Sequence, residues 1–405
     1  MNSSFIEAKP ILEKLISSGY QAFYVGGSVR DLLLEREIGD VDIATSAKPN
    51  EIKKLFRKTI DVGAEHGTII VLHNETPYEV TTFRTETEYE DFRRPKSVSF
   101  ISSLKEDLKR RDFTINAMAM DIDGEIIDYF NGKEDLYNKH IQTVGKASER
   151  FTEDALRMLR AVRFVSQLSF SLSFTTQIAI RDHAHLLESI STERKVIEIE
   201  KLLSGNSFQE AVKLLLECEV YSFLPGLVHK QDELNNLLVF DFTLITNREE
   251  LWTTISYFIK PISVEAFLRS WKLPVKLIKA VEKNLNYLQL LLNGQTWTKL
   301  LIYEAGIDAA LSAERIYSLL GDGGTLEVNL NTVKSLYKSL PIKDKKDLNI
   351  TGKEIIEVMK KQPGPWVTKA INAIEIAILM DELENNRVAI KEWLLSCNQN
   401  FEQSY

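Results

Sequence analysis

The chain of 405 residues has little cysteine and no long apolar run. Cys218 and Cys397 are its only cysteines, and a distant pair forms neither a disulfide framework nor a metal-binding motif. We therefore expect both to be reduced and to serve in packing. No segment reaches the roughly 18 apolar residues that a membrane-spanning helix requires, and no apolar leader follows a basic start. These absences predict a cytoplasmic protein that is not inserted in a membrane.

Two common nucleotide-binding signatures are missing as well. The chain has no G-x-G-x-x-G and no G-K-[ST] after a glycine-rich turn, so neither a Rossmann site nor a P-loop is expected. Positive charge is scarce, since 58 acidic residues outnumber 50 Lys and Arg and give a net charge of −8. Nucleic-acid-binding proteins usually present a basic face, so such contacts must come from local clusters. Basic residues cluster at 93–96, 109–111, 157–163 and 343–346.

The first third of the chain alternates strand and helix patterns. Strand patterns cover residues 20–25, 41–45, 68–72, 78–83 and 118–122, and a short helix pattern covers 28–36. From about residue 146 onwards the pattern is almost wholly helical. The sequence therefore predicts an α+β protein, with an N-terminal α/β head that contains a small mixed sheet and a helical remainder.

The most informative motif lies between the first two predicted strands. Residues 26–31 read GGSVRD and residues 40–42 read DVD. Glycines at a strand-to-helix turn let a phosphate approach the backbone, where a helix N-terminus favours an anion. Asp40 and Asp42 are two apart on a predicted strand, so we expect both carboxylates on one face. Such a pair suits a divalent cation, most naturally Mg²⁺ that carries a nucleoside triphosphate, although an isolated D-x-D is more often a solvated acidic face.

A third carboxylate follows in the strand pattern at 78–83. If this strand neighbours Asp42, Glu79 completes a set of three carboxylates, which can hold two cations. One cation would activate an attacking hydroxyl and the other would neutralise a leaving pyrophosphate. Judged alone, Glu79 is equally well explained as an exposed strand residue.

Residues 109–119 read KRRDFTINAMA, a charged segment that stops at an apolar strand. Arg111 and Asn116 are candidate contacts to a triphosphate and a ribose, because arginine can donate two hydrogen bonds to a phosphate. The alternative is a basic surface turn.

Residues 149–164 read ERFTEDALRMLRAVRF and predict a helix that begins at Glu153, with Thr152 as its N-cap. On this helix we expect one polar stripe, which contains Asp154, Arg157, Arg160 and Arg163. An acid and a base three residues apart usually form a surface ion pair.

If Asp154 and Arg157 point into a nucleotide site, they can recognise the base. A carboxylate beside a guanidinium presents an acceptor next to a donor, which matches the amino group and ring nitrogen of cytosine or adenine. Uracil and guanine present the reverse order of donor and acceptor. Because each such base contact contributes on the order of 1–3 kcal/mol of discrimination, this pair predicts selection of C and A over U and G.

Together these motifs resemble those of the bacterial class II tRNA nucleotidyltransferases, the CCA-adding enzymes of the Bacillus type within the poly(A) polymerase superfamily. GGSVRD with DVD resembles the family's metal motif, and 109–119 resembles its ribose and triphosphate motif. Residues 128–136 (DYFNGKEDL) resemble its hinge, 153–157 (EDALR) its amino-acid template for the incoming base, and 194–203 (RKVIEIEKLL) the helix that supports the template.

The resemblance implies untemplated addition of C, C and A to the 3′ end of tRNA from CTP and ATP. Asp40 and Asp42 would bind Mg²⁺, with Glu79 as the third catalytic carboxylate. Glu153 is a candidate proton acceptor. The implied nucleotide contacts are Gly27, Arg30, Arg111, Asp154, Arg157, Arg160 and Arg163.

The resemblance also implies a division into four parts: a catalytic head over residues 1–145, a neck for base recognition over 146–205, a helical body over 206–310 and a tRNA-binding tail over 311–405. A homodimer is compatible with this architecture. The product stays open, because related enzymes add only CC, only A, or a poly(A) tract. Residues 89–100 (YEDFRRPKSVSF) resemble a flexible loop that is needed for the final A and is absent from CC-adding relatives. We therefore favour full CCA addition and keep an A-adding enzyme and a poly(A) polymerase as alternatives.

Overall fold

The structure is a computed structural model that describes residues 2–90, 94–321 and 326–396. The chain packs into two compact units. Unit 1 contains residues 1–238 with 270–272, and unit 2 contains 239–269 with 273–405. In the described part of the chain, no helix is both long and apolar enough to span a bilayer. The division into head, neck, body and tail remains a prediction.

A mixed sheet of seven strands forms the centre of the N-terminal part of unit 1, in the order β3-β4-β5-β2-β1-β8-β9. The strands are β1 (Ala22–Val25), β2 (Asp42–Thr45), β3 (Thr59–Gly63), β4 (Thr68–His73), β5 (Thr76–Thr82), β8 (Met118–Met120) and β9 (Ile126–Asp128). Only the β2–β5 pair is parallel within the described sheet. The core beneath it includes Val25, Ala44, Phe83 and Leu108. This arrangement confirms the predicted α+β class with a small mixed sheet in the head.

A separate antiparallel hairpin consists of β6 (Arg84–Glu90) and β7 (Arg94–Phe100). The segment 89–100, which resembles the family's flexible loop, thus includes the end of β6 and all of β7, while residues 91–93 lie outside the described part. Its role in adding the final A stays a prediction. The sequence explains the hairpin, because Thr and Tyr alternate with Glu in one strand and Val and Phe alternate with Ser in the other.

Helices surround the sheet and form the rest of unit 1. They are α1 (Ser3–Ser17), α2 (Gly27–Leu33), α3 (Pro49–Leu55), α4 (Leu104–Lys109), α5 (Gly132–Tyr137), α6 (Ala147–Glu153), α7 (Leu156–Leu168), α8 (Phe174–His183), α9 (Thr192–Leu203), α10 (Phe208–Glu217) and α11 (Gln231–Asn236). The short strands β10 (His140–Ile141) and β11 (Ser171–Leu172) pair in parallel. The predicted helix over 28–36 is shorter than expected, since Glu35 adopts a positive φ of 53°, which ends a helix.

The described part of unit 2 contains helices and no strand. They are α12 (Arg248–Ile259), α13 (Val264–Ser270, whose last residue belongs to unit 1), α14 (Val275–Leu292), α15 (Lys299–Leu320), α16 (Leu326–Lys338), α17 (Gly352–Met359), α18 (Trp366–Leu379) and α19 (Arg387–Ser396). The helical pattern predicted from residue 146 onwards is thus confirmed apart from β11. Cys218 is buried and free, as expected, whereas Cys397 lies outside the described residues.

Candidate active site

The turn between β1 and α2 brings charged side chains against the backbone of two glycines. Gly26 has a φ of 76°, which side-chain-bearing residues rarely adopt. A Cβ atom at Gly26 would lie 3.1 Å from Arg111 Nη1 and 3.5 Å from Asp42 Oδ2. At Gly27 it would lie 3.5 Å from Arg30 Nη2. The glycine pair therefore permits the close approach of one carboxylate and two guanidinium groups.

Two of the three predicted carboxylates lie on the neighbouring strands β2 and β5, and the third precedes β2. The parallel register pairs Ile43 with Val80, so Glu79 lies beside Asp42 in the neighbouring strand, as predicted. Strand β2 begins at Asp42, and Asp40 is an exposed residue before it. The expectation that both carboxylates point to the same side therefore stays a prediction, because Asp40 lies outside the strand.

The charges of Glu79 and Asp40 nevertheless affect the pKa of Asp42. Burial raises the pKa of Asp42 to about 6, and the charges of Glu79 and Asp40 add to this rise while Arg111 opposes it. No set of three or more His, Cys, Asp or Glu residues within the described ranges is arranged as a metal cluster. Mg²⁺, however, commonly takes only one or two protein carboxylates and completes its shell with phosphate oxygens and water. The carboxylates of Asp42 and Asp40 thus fit a divalent cation that arrives with a triphosphate.

A cavity of about 360 Å³ opens beside Asp42. We call it the arginine cavity, because Arg30, Arg111, Arg160 and Arg163 line it. Lys201 adds a fifth basic group, against two acidic ones, Asp42 and Asp112. This excess of positive charge in a recessed space suits a polyphosphate, since arginine binds phosphate oxygens in a planar, bidentate manner.

Carboxylates behind the cavity hold its arginines in place. Arg30 donates two hydrogen bonds of 2.9 Å to Asp31 and one of 2.7 Å to Asn116. The Asn116 amide donates to Asp112 at 3.2 Å, and Asp112 accepts from Arg160 Nε at 2.8 Å. Burial alone would raise the pKa of Asp112, but Arg160 and Arg157 hold it well below its usual range. Asp112 is therefore a permanent anion that fixes two walls of the cavity.

For the other two arginines, burial lowers the pKa more than a nearby carboxylate raises it. Burial lowers the pKa of Arg111, against the effect of Asp107, which lies 3.6 Å from it. Burial also lowers the pKa of Arg163 to about 10, against the effect of Glu198, at 3.2 Å. Both guanidinium groups remain charged at neutral pH, so they are available to a phosphate without a prior protonation step.

The region expected to read the base differs in geometry from the prediction. Helix α6 ends at Glu153, Asp154 is extended, and α7 begins at Leu156. The Asp154 carboxylate accepts from Leu156 N at 3.1 Å and so caps α7. The Thr152 hydroxyl instead donates to carbonyls inside α6. The predicted cap at Thr152 and the single helix from Glu153 were wrong, because the chain has two helices here and aspartate is an equally good cap.

Asp154 and Arg157 are held by separate partners. Arg194 of α9 donates to both Asp154 oxygens, at 2.7 and 3.3 Å. Arg157 donates to Glu153 at 2.6 Å and to the Arg110 carbonyl at 3.0 Å. Since Asp154 lies outside α7, the predicted stripe is reduced to the three arginines. Neither Asp154 nor Arg157 lines the arginine cavity.

Three ranges of the chain match known protein-family models. Residues 22–142 match the poly(A) polymerase head domain. Residues 169–230 match a probable RNA- and SrmB-binding site of polymerase A, and residues 243–394 match a second domain of tRNA nucleotidyltransferases. The head match contains the glycine turn, the three carboxylates, Arg111 and Asn116.

A curated relative decides the family. The CCA-adding enzyme of Bacillus subtilis is 48% identical over 401 residues, which cover 98% of this chain and all of that protein. The chain belongs to the CCA-adding enzyme family. This result confirms the resemblance inferred from the motifs.

Solved CCA-adding enzymes and their relatives share the fold. The Bacillus stearothermophilus enzyme, solved in complex with CTP, is 44% identical and has a TM-score of 0.93, with full coverage of both chains. A tRNA nucleotidyltransferase solved with a primer tRNA and an incoming ATP analogue is 26% identical, with a TM-score of 0.62 and coverage of 82% of this chain and 98% of that one.

In this member of the CCA-adding family, the predicted site residues fall into three groups. Asp42 lines the arginine cavity together with predicted nucleotide contacts from the turn, the 109–119 segment and α7. Those contacts are Gly27, Arg30, Arg111, Asn116, Arg160 and Arg163. In addition to its burial, the charges of Glu79 and Asp40 raise the pKa of Asp42. Asp154 and Arg157 lie where α6 gives way to α7, and the roles of all these residues remain predictions.

Sequence reasoning missed residues that organise the cavity from behind. Asp107 and Asp112 lie in or next to the basic segment 109–111, and Glu198 lies in the 194–203 helix. A carboxylate embedded among arginines and followed by apolar residues is a signal for a buried ion pair. Phe164, which also lines the cavity, gives no such signal, because an aromatic residue on an apolar helix face indicates only packing.

Proposed function

We propose that the chain adds C, C and A to the 3′ end of tRNA without a nucleic-acid template, with CTP and ATP as donors and pyrophosphate as the second product. Membership of the CCA-adding family supports this activity over that of a poly(A) polymerase. The observation that carries the proposal is the arginine cavity next to Asp42, which pairs a polyphosphate-binding surface with a candidate metal-binding carboxylate.

The chemistry follows from this juxtaposition. The 3′-hydroxyl oxygen of the tRNA attacks the α-phosphorus of the nucleotide, a new P–O bond forms, and the bond to pyrophosphate breaks. Catalysis of phosphoryl transfer consists largely of positioning and charge stabilisation. Arg30, Arg111, Arg160 and Arg163 hold the triphosphate and stabilise the charge on departing pyrophosphate, and their carboxylate partners keep them in place before the substrate arrives.

We propose Mg²⁺ as the cofactor, with Asp40 and Asp42 as its protein ligands. When bound, such a cation supplies Lewis-acid stabilisation and lowers the pKa of a coordinated hydroxyl. Glu79 would add negative charge on the neighbouring strand. Glu153 is bound to Arg157 and forms an ion pair with Arg150, which favours a role in orienting Arg157 over the role of proton acceptor.

Base selection is assigned to Asp154 and Arg157. Asp154 accepts from three donors, and a carboxylate offers about four acceptor positions, so its pairing with Arg194 still allows it to accept an amino proton of cytosine or adenine. We assign residues 146–205 to this task and residues 311–405 to tRNA binding. Because tRNA and nucleoside triphosphates are cytoplasmic, we place the protein in the cytoplasm.

The test is to incubate three tRNA substrates, which end before the CCA, after the first C and after CC, with each nucleoside triphosphate alone and with CTP plus ATP. We expect two CMP and then one AMP to be added, after which addition stops, as shown by sequencing the products. An Asp42→Asn variant is the inactive control.

Other outcomes identify the alternatives directly. Incorporation of AMP on the substrate that ends in CC, with no incorporation of CMP on any substrate, indicates an A-adding enzyme. Addition that stops at CC indicates a CC-adding enzyme, and AMP addition beyond one residue indicates a poly(A) polymerase. Any of these results contradicts the proposal of full CCA addition.

A further inference from the structure

Three guanidinium groups of the arginine cavity gather around one aromatic ring. The Cζ atoms of Arg163, Arg30 and Arg160 lie 4.4, 5.2 and 5.6 Å from the centroid of the Phe164 ring. Arg30 comes from α2 and the other two from α7, so the ring joins two separate elements of unit 1. All three distances fall within the roughly 6 Å range of a cation–π contact.

The three arginines repel one another, and their carboxylate partners offset this repulsion only in part. Asp31, Asp112 and Glu198 each pair with one of these arginines, but like charges remain close together. Arg160 and Arg30 both lower the pKa of Arg163, in addition to its burial. The negative face of an aromatic ring attracts cations, so Phe164 supplies attraction to several guanidinium groups at once.

The ring itself is firmly placed. Phe164 is 4% exposed and packs edge-on against Phe113, with ring centroids 5.6 Å apart and an interplanar angle of 85°. Phe113 is fully buried and follows Asp112, the carboxylate that holds Arg160. The aromatic pair and the ion pair therefore restrain the same arginine from two sides.

We propose that Phe164 is a positioning residue that holds Arg30, Arg160 and Arg163 as one phosphate-binding surface. It acts through the arginines and touches no reacting atom. The proposal rests on the proposed function only in that a nucleoside triphosphate occupies this cavity. Since the phosphates are common to all nucleotides, Phe164 affects CTP and ATP equally and leaves the choice of base unchanged.

The test is equilibrium binding of CTP, ATP and inorganic pyrophosphate, each with Mg²⁺, to the full chain without tRNA. Phe164→Leu keeps an apolar side chain but removes the ring, and we expect it to weaken binding of all three ligands roughly 3- to 30-fold, by a similar factor. Phe164→Tyr keeps the ring and should bind within about twofold of the unaltered protein. Phe170→Leu is the matched control, because Phe170 is buried to a similar degree, at 6% exposure, and lines a different cavity.

Three results would overturn the proposal: equal binding by Phe164→Leu and Phe170→Leu, a loss confined to one nucleotide, or a failure of Phe164→Tyr to restore binding. Thermal unfolding of each variant separates loss of the ring from loss of the fold. If Phe164→Leu does not fold, Phe164→Met takes its place with the same expectations. Because the readout is binding, a protein that binds nucleotides as expected but adds none to tRNA contradicts the proposed function and leaves this inference intact.

Discussion

The arginine cavity and the α6–α7 junction, residues 153–156, are organised in opposite ways. In the cavity, Arg30, Arg111, Arg160 and Arg163 are held by carboxylates from behind and line an open space. At the junction, Asp154 and the nearby Arg157 contact Arg194 and Glu153 and do not line that space. Both sets of charged groups thus have protein partners, but only the arginines proposed to bind phosphate also line an open space.

This difference suggests a division of labour. A preorganised surface provides affinity that is common to every nucleoside triphosphate. Groups that contact both a protein partner and a base provide discrimination, because a wrong base leaves a polar group unpaired. If the two regions act separately, variants in one should change affinity for all nucleotides and variants in the other should change selectivity.

The largest effect is expected at Asp42, because transfer from every nucleotide depends on this carboxylate. Asp42→Asn should reduce transfer from CTP and from ATP by on the order of 10³-fold or more, because it removes a proposed ligand of the catalytic cation. Binding of tRNA should be unchanged in a filter-binding assay. Asp61→Asn, an exposed change on the same sheet, is the control and should retain full activity. Retained transfer in Asp42→Asn would refute the assignment of the metal site.

The second effect separates the two regions. Asp154→Ala should lower the preference for CTP and ATP over UTP and GTP by roughly 5- to 100-fold, because it removes the acceptor that faces the amino group. Arg163→Met should weaken all four nucleotides alike. The measurement is kcat/KM for each nucleotide with one tRNA substrate. A uniform loss in Asp154→Ala would show that the junction does not read the base.

The same contrast explains how far sequence analysis reached. The strands that carry Asp42 and Glu79 agree with the strand patterns, because hydrophobic alternation is a local signal. The order of the strands in the sheet was not predicted. The break at Asp154 was not predicted, since Thr152 and Asp154 are both good helix caps and only tertiary packing against Arg194 distinguishes them. Glu198 was missed because its partner Arg163 lies on another helix, and Phe164 was missed because an aromatic residue among apolar ones indicates only packing.

A smaller effect is expected from Arg194, which donates two hydrogen bonds to Asp154. Arg194→Met should reduce the preference for CTP over UTP by roughly 3- to 10-fold, because Asp154 loses two charge-assisted hydrogen bonds and becomes less well oriented. Lys272→Met is a suitable control, since Lys272 forms an exposed ion pair with Glu193 next to Arg194, and such pairs contribute little. Equal selectivity in both variants would mean that Arg194 only supports the fold.

The smallest effect is an increase in the free energy of unfolding when Asp42 is replaced. In metal-free protein, the folded state raises the pKa of Asp42 from 3.8 to about 6, so the charged carboxylate opposes folding above that pH. Asp42→Asn should therefore stabilise the chain by about 1–3 kcal/mol at pH 8, a range reduced for partial exposure, and this gain should vanish below about pH 4.

Denaturant unfolding at both pH values, with a chelator present, measures the change. Asp61→Asn should behave oppositely, because hydrogen bonds from Lys53 and the backbone hold the pKa of Asp61 below its usual range, which stabilises the folded state at neutral pH. Addition of Mg²⁺ should then stabilise the unaltered protein at pH 8 but not Asp42→Asn, since the cation offsets the cost of burying the charge and the repulsion by Glu79 and Asp40, which the amide also removes. A destabilised Asp42→Asn in metal-free buffer would contradict the electrostatic strain assigned to the three carboxylates.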